Sequence, residues 1–241
     1  MFECINQKCQ STIHHLNKSK NIPVILIIFN NLTYLKNMLG QLRDLKVKSE
    51  DIWIWDNHST YPPLLKFYKE ISTEYNLVKN NKNYGPRFFV NPHVFNFLPN
   101  FFAVSDPDLS FNKKMPRNFL QYLKKITNEL SLFKAGLALD ISPNPHFNKN
   151  LRIKSGSMTI RQRQKPYWSK PLAKYNNPKI YNAPIDTTFA VYNKKHFKKG
   201  FFNAVRVADH FTCKHLPWYK NTHIPKEEKE LFNTSWSHWT N

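Results

Sequence analysis

The segment IPVILIIF (Ile22 to Phe29) is an unbroken apolar run of strand length, the pattern of a central strand buried on both faces. Asn30 and Asn31 end it, and Asn31 or Thr33 can cap the next element. Leu32, Leu35, Leu39, Leu42 and Leu45 then recur at helical spacing with polar residues between them. A buried strand joined to an amphipathic helix is the first half of a βαβ unit.

The same grammar repeats. IWIWD (Ile52 to Asp56) reads as a second strand, and Pro62-Pro63 opens a second helix with Leu64, Leu65, Tyr68 and Ile71 facing inward. A short strand is expected around Leu77 to Lys79, before the turn ending Tyr84-Gly85-Pro86. FFAVS (Phe101 to Ser105) is another strand, halted at Asp106-Pro107-Asp108. Pro116 starts a helix that runs to about Leu130, AGLALDI (Ala135 to Ile141) is strand-like, and IDTTFAVY (Ile185 to Tyr192) is a last clear strand. Residues 142–179 read as loops over the strand ends, and no long helix is evident after Val207. This alternation predicts an α/β fold, a mostly parallel central sheet with helices on both faces. The expected organisation is an N-terminal arm over 1–20 and a single domain over 21–241. Within that domain, residues 21–110 and residues 111–241 read as two halves.

Composition narrows the class. The 241 residues carry a formal charge of +20, too apolar at 41% hydrophobic for a disordered tail. No apolar run approaches the roughly 20 residues of a membrane span. The first 20 residues lack a secretory signal's apolar core. Cys4, Cys9 and Cys213 cannot all pair, which fits a reducing cytosol, and Cys4, Cys9, His14 and His15 match no strong zinc spacing. The charge is uneven. Residues 1–80 hold 10 basic and 7 acidic side chains, whereas residues 151–220 hold 15 basic and 2 acidic, Asp186 and Asp209. Such a field attracts phosphate, in nucleic acid, in a nucleotide or on an anionic membrane. An A+T-rich genome would enrich the same Lys, Asn, Ile, Phe and Tyr.

In a parallel sheet, ligands bind beyond the C-terminal strand ends. Asn30-Asn31, Asp56-Asn57-His58-Ser59 and Asp106-Pro107-Asp108 all fall there. Two carboxylates separated by one residue after a strand are hard oxygen ligands suited to Mg²⁺ or Mn²⁺. A lone D-x-D is equally a turn in which each Asp accepts from nearby backbone N–H groups. Arg87, after Asn83-Tyr84-Gly85, can reach a diphosphate or remain a solvated helix-start side chain. Arg161, Arg163 and Lys165 read as a mobile donor-covering loop or a solvated basic face. Trp218 and Tyr219 can stack on sugar rings, and Trp168 reads as packing under a loop.

The segments IPVILIIFNNLTYL, IWIWDNHSTYPPLL, VSDPDL, GLALDI, PIDTTFAVY, HLPWY and PKEEK with SWSHW, in that order, resemble compact bacterial family-2-like GT-A glycosyltransferases from about Ile22 to Trp239. Each motif alone is weak, and the ordered set is specific. The resemblance implies transfer of a sugar from a nucleotide-diphosphate donor, UDP-linked by analogy, to a glycan or lipid-linked acceptor at the cytosolic face of a membrane. It implies that Asp56 recognises the base and ribose, with Asn30, Asn57, Asn83, Arg87 and Asp106 around the donor. Asp106 and Asp108 match the DXD pair for Mn²⁺ or Mg²⁺, and His215 in HLPWY matches a third metal contact. An inverting transfer needs a base. Asp186, isolated in a basic stretch, is the first candidate, Asp140 the second and Asp209 the third. No Glu-Asp pair stands at the family's base position, so inversion and the base stay open. A nucleic-acid-binding protein is the rival of another class, though no helix-turn-helix, zinc-finger or RNA-recognition signature is present and no nucleic-acid partner is expected. A nucleotidyltransferase would need a Gly-rich phosphate loop, absent from a chain with 5 Gly.

Overall fold

The computed structural model describes residues 2–153, 158–233 and 239–240. In chain order the strands are β1 (Phe2–Cys4), β2 (Val24–Ile28), β3 (Ile52–Asp56), β4 (Asn76–Asn80), β5 (Phe101–Ser105) and β6 (Leu109–Phe111). They continue as β7 (Lys134–Leu139), β8 (Arg152–Ile153), β9 (Pro171–Asn176), β10 (Lys179–Asn182), β11 (Ala190–Asn193), β12 (Ala204–His215) and β13 (Trp239–Thr240). The helices are α1 (Gln7–Thr12), α2 (Leu32–Asp44), α3 (Pro62–Glu70), α4 (Pro92–Phe95), α5 (Phe119–Glu129), α6 (Ile160–Gln164) and α7 (Lys226–Asn233).

The main sheet runs β1-β4-β3-β2-β5-β11-β7-β12-β10-β9, with β6 also paired to β12. The chain therefore adopts the expected α/β class. Parallel pairing joins β4, β3, β2 and β5, and recurs between β7 and β12. β11 runs antiparallel to both β5 and β7 and links the two parallel parts.

Strand β2 shows why this sheet is covered twice. All five of its residues are buried. Val24, Leu26 and Ile28 enter one core with Leu35, Met38 and Leu42 of α2. Ile25 and Ile27 enter a second core with Trp53, Trp55, Phe88 and Phe102 on the other face.

Four segments differ from the sequence reading. The N-terminal arm is tied to the sheet: β1 pairs antiparallel with β4, and the Asn6 side chain donates to the Ser72 and Tyr75 carbonyls at 2.6 and 2.7 Å. Cys4 and Cys9 form a disulfide with Cα atoms 5.4 Å apart, so cysteine usage no longer argues for a reducing compartment. The strand expected over Ile185 to Tyr192 begins only at Ala190. Residues 142–179, expected as loops, include α6 and β9. Beyond Val207 the chain continues β12, a 12-residue strand broken in register between Val207 and Thr212, where Asp209 adopts φ 55°. That bulge places Asp209 and His210 outside any apolar alternation, which hides the strand in the sequence. Among the described residues no helix is long and apolar enough to cross a membrane.

Candidate active site

A cleft of about 1580 Å³ opens beyond the C-terminal ends of β2, β3 and β5. Asn31, Asn57, Asn83, Arg87, Asp106, Asp108, Asp186 and His215 all line it. Residues far apart in sequence thus converge where the topology of a parallel half-sheet predicts a site.

Asp108 is the central group. It is 5% exposed, and its Oδ2 lies 3.3 Å from His215 Nε2 at the end of β12. The antiparallel β6–β12 pairing, with His215 opposite Leu109, sets that approach. Asp108 Oδ1 is buried with no hydrogen-bond partner among the described residues. Burial lowers the pKa of the His215 imidazole, against the opposing pull of Asp108. An imidazole whose charged form is disfavoured, next to a carboxylate whose other oxygen has no partner among the described residues, is a donor set of the kind a divalent cation takes. Asp106 is differently engaged: its Oδ2 accepts from the Thr187 hydroxyl, and its N–H donates to the Thr187 carbonyl at 3.1 Å. Burial, then the charge of Asp108, pushes the Asp106 carboxyl well above the usual carboxylate range. The expected trio of Asp106, Asp108 and His215 is corrected to this extent: no three His, Cys, Asp or Glu side chains among the described residues group closely enough to hold a metal. The hydroxyl of Thr187 draws one Asp106 oxygen aside.

Three other expected residues do not line the cleft. Asp56 is 1% exposed, and its carboxylate accepts from the Ser59 N–H at 3.0 and 3.2 Å and from the Tyr68 hydroxyl at 3.1 Å. It closes its own turn. Asn30 sits at φ 54° and its Oδ1 accepts from the N–H groups of Thr60 and Tyr61, at 2.7 and 2.9 Å. It ties the loop after β2 to the loop after β3, as Asn in the left-handed region commonly does. Asp140 Oδ1 accepts from the Ser142 N–H at 2.8 Å, an ordinary Asx turn.

Asn57 lines the cleft but is fully engaged. Its amide donates to Asn83 Oδ1 at 2.6 Å and to the Gly85 carbonyl at 3.1 Å, while its oxygen accepts from Asn80 and the Tyr84 N–H. Asn57 therefore fixes the 80–85 turn, in which Gly85 takes φ 77°.

Arg87 and Asp186 meet directly. Arg87 Nε and Nη2 donate to the two Asp186 oxygens at 2.8 and 2.7 Å, both side chains being about half exposed. Phe201 and Phe202 lie against the guanidinium at 5.1 and 5.0 Å. Asp186 stands in the loop before β11, not at a strand start. Its carbonyl accepts from Lys134 Nζ at 3.0 Å and from the Tyr192 hydroxyl at 3.3 Å.

Several lining residues escape sequence reasoning. Arg206 lies in the buried strand β12, and Gln164 and Tyr167 belong to α6 and the 3-10 turn after it, in a stretch without apolar periodicity; only Arg163 beside them carried a signal, as part of a basic run. Arg161 instead bonds the Ile141 carbonyl at 2.9 and 3.1 Å, and Lys165 does not line the cleft. Trp218 is 1% exposed and packs on His215 at 4.7 Å, so it backs the site more than it faces it. Trp168 packs on Tyr181 at 5.2 Å, as expected of a loop-packing residue.

No family model matches the chain, and no curated protein matches it. Among solved structures it is similar to the mannosyltransferase PcManGT from Pyrobaculum calidifontis, in complex with GDP-Man and Mn²⁺. Identity there is 10% and the TM-score 0.47, over 74% of this chain and 46% of that one. It is also similar to S. aureus TarS 1–349 in complex with UDP-GlcNAc, at 12% identity and TM-score 0.47, over 88% and 64% of the two chains. TarS 1–349 alone gives 13% identity and TM-score 0.44, over 74% and 48%. The chain spans less than two thirds of the length of each of these proteins. At such scores the likeness assigns neither donor nor acceptor.

Proposed function

We propose that the protein is a metal-dependent glycosyltransferase of GT-A type, moving a sugar from a nucleotide-diphosphate donor, UDP-linked in the first instance, to a glycan or lipid-linked acceptor. One observation carries the reading: a buried Asp108 with one oxygen lacking a partner among the described residues, beside His215, lining a large cleft over parallel strand ends. The ordered motifs support it independently.

Asp108 and His215 would hold Mn²⁺ or Mg²⁺, with Asp106 next to them and donor phosphates completing the shell. When bound, the cation supplies charge neutralisation for the departing diphosphate. Asn83, held by the Asn57 amide, would contact the nucleotide. Asp186 is the proposed base for the acceptor hydroxyl. Its bidentate partner is Arg87, and a diphosphate entering the cleft competes for the same guanidinium. Donor binding thereby frees the carboxylate, which can accept the hydroxyl proton as the oxygen attacks the anomeric carbon.

The test is Mn²⁺-dependent hydrolysis of UDP-sugars, with a calorimetric screen that also includes GDP-mannose. Asp108→Asn is expected to remove the metal-dependent hydrolysis, roughly 100-fold or more, in a protein that still folds. Tight, salt-sensitive binding of a DNA duplex together with no affinity for any nucleotide sugar would sink the reading. Asp186→Asn is expected to retain donor binding and lose transfer. Weakened donor binding instead would move Asp186 from the base role to donor contact.

A further inference from the structure

The cleft is lined by charges of both signs. Asp106, Asp108 and Asp186 line it, and Arg87 is already matched by Asp186. The wall built from β12 and α6 carries Arg206 and Arg163. Arg206 is 5% exposed, and its hydrogen bonds go to neutral oxygens: Nε to the Pro184 carbonyl at 2.9 Å and Nη1 to Gln164 Oε1 at 2.7 Å. The Tyr167 ring supports its flat face at 4.2 Å. Among the described residues neither Arg206 nor Arg163 forms an ion pair. Burial lowers the Arg206 pKa only to about 10, so the guanidinium stays charged at neutral pH.

A cation so deeply buried is ordinarily paired, because desolvation without a counter-charge is costly. This one is held rigidly on three sides by a carbonyl, an amide and a ring, and it lines an open cleft. Its remaining N–H groups form the planar fork that suits a phosphate oxygen pair. On the transferase reading a cation held by Asp108 and His215 would answer the donor diphosphate, which leaves this second positive site for a different anion.

We propose that Arg206 and Arg163 form an anion subsite that holds a phosphate group of the acceptor. Assigning that phosphate to the acceptor rests on the transferase reading, while the anion subsite itself does not. The phosphate is either part of a soluble glycan ester or the headgroup of a lipid carrier.

Calorimetry on the full chain, with the donor site first saturated by UDP and Mn²⁺, tests it using glycerol 1-phosphate, with glycerol as the neutral control. Glycerol 1-phosphate is expected to bind and glycerol not. Arg206→Gln and Arg163→Gln are each expected to weaken that binding roughly tenfold, leaving UDP affinity within about twofold. Arg163 is exposed, so Arg163→Gln keeps the test decisive if Arg206→Gln fails to fold. Vesicles of phosphatidylglycerol and phosphatidylcholine in equal parts form the second arm. Arginine-sensitive binding to vesicles but not to the soluble ester assigns the phosphate to a lipid. Binding that is unchanged in folded Arg163→Gln, or loss of UDP affinity in either variant, overturns the subsite. If UDP fails to bind the unaltered protein while glycerol 1-phosphate binds in an arginine-sensitive way, the transferase reading falls and the subsite stands.

Discussion

Lys134 is fully buried at the start of β7, with its Nζ 3.5 Å from the Phe201 ring centroid and bonded to the Asp186 carbonyl. Burial depresses its pKa to about 7 from 10.5, with nearby Asp186 opposing. Between those two values the unfolded chain holds a proton that the folded chain lacks, so stability rises with pH across that window. Lys134→Met removes this slope and is expected to stabilise the protein by roughly 1–3 kcal/mol at pH 7. Urea midpoints of both chains at pH 7 and pH 9 measure the effect. A flat profile in the unaltered protein, or a destabilised variant, would make the ammonium a net stabiliser. The same residue shows what the sequence conceals. That Asp108 and Asp186 line the cleft is legible from a strand end and an isolated charge, whereas His215 and Asn83 depend on the family resemblance. Asp56, Asn30 and Asp140 sit at equally suggestive places, yet each is consumed by backbone N–H groups, those of its own turn for Asp56 and Asp140 and those of the neighbouring loop for Asn30. Local turn chemistry and ligand chemistry use the same residue types, and only the three-dimensional partner separates them. Arg206 and Lys134 stayed hidden because a charge inside an apolar strand reads as an interruption.

β2, α2, β3, α3, β4 and β5 follow their sequence patterns closely, since each buried strand and amphipathic helix forms from local periodicity. Later elements depend on long-range partners. β11 is short because Thr187 bonds Asp106 and holds the preceding loop off the sheet, and β12 is interrupted at its bulge. Gly136 illustrates such dependence: a Cβ there would lie 2.5 Å from the Phe189 carbonyl oxygen and 2.7 Å from Ala190 Cβ, in the strand between β11 and β12. Gly136→Ala is therefore expected to destabilise the protein by about 1–3 kcal/mol or to prevent folding, read as a lowered thermal midpoint. A second long-range device caps α2. Its N-cap Asn31 makes no side-chain cap bond, and Glu228 of α7 supplies the acceptor instead, bonding the Thr33 N–H and hydroxyl, each at 2.8 Å. Glu228→Ala leaves the first turn uncapped and removes an anion from the positive helix end. It should cost about 1 kcal/mol, a fall of roughly 2–4 °C in thermal midpoint. An unchanged midpoint would show that water caps α2 equally well.

The charge of the whole molecule, +20, is carried unevenly, and the fold gives that asymmetry a direction. The parallel half from β2 to β5 is nearly balanced, while the basic half contains β9, β10 and β12. β9 forms the far edge of the sheet, and four of its six residues are exposed. A field that extends over about 10 Å at ordinary ionic strength attracts any polyanion, so attraction alone cannot identify a partner. Its salt dependence does separate a surface effect from a site. Binding through exposed lysines to an anionic bilayer contributes about 1 kcal/mol per basic residue near the surface and is screened as salt rises. Phosphate held by the buried Arg206 is screened much less, because ions do not fill the space around it. The protein is thus expected to cosediment with phosphatidylglycerol vesicles at low ionic strength and to be released near about 0.5 M salt. Neutral phosphatidylcholine vesicles should not retain it at any salt. Glycerol 1-phosphate affinity, measured over the same range, should fall by a much smaller factor. Parallel losses in the two measurements would place both anions on the exposed basic face, and the interior guanidinium would then serve only to hold Pro184, Gln164 and Tyr167 together.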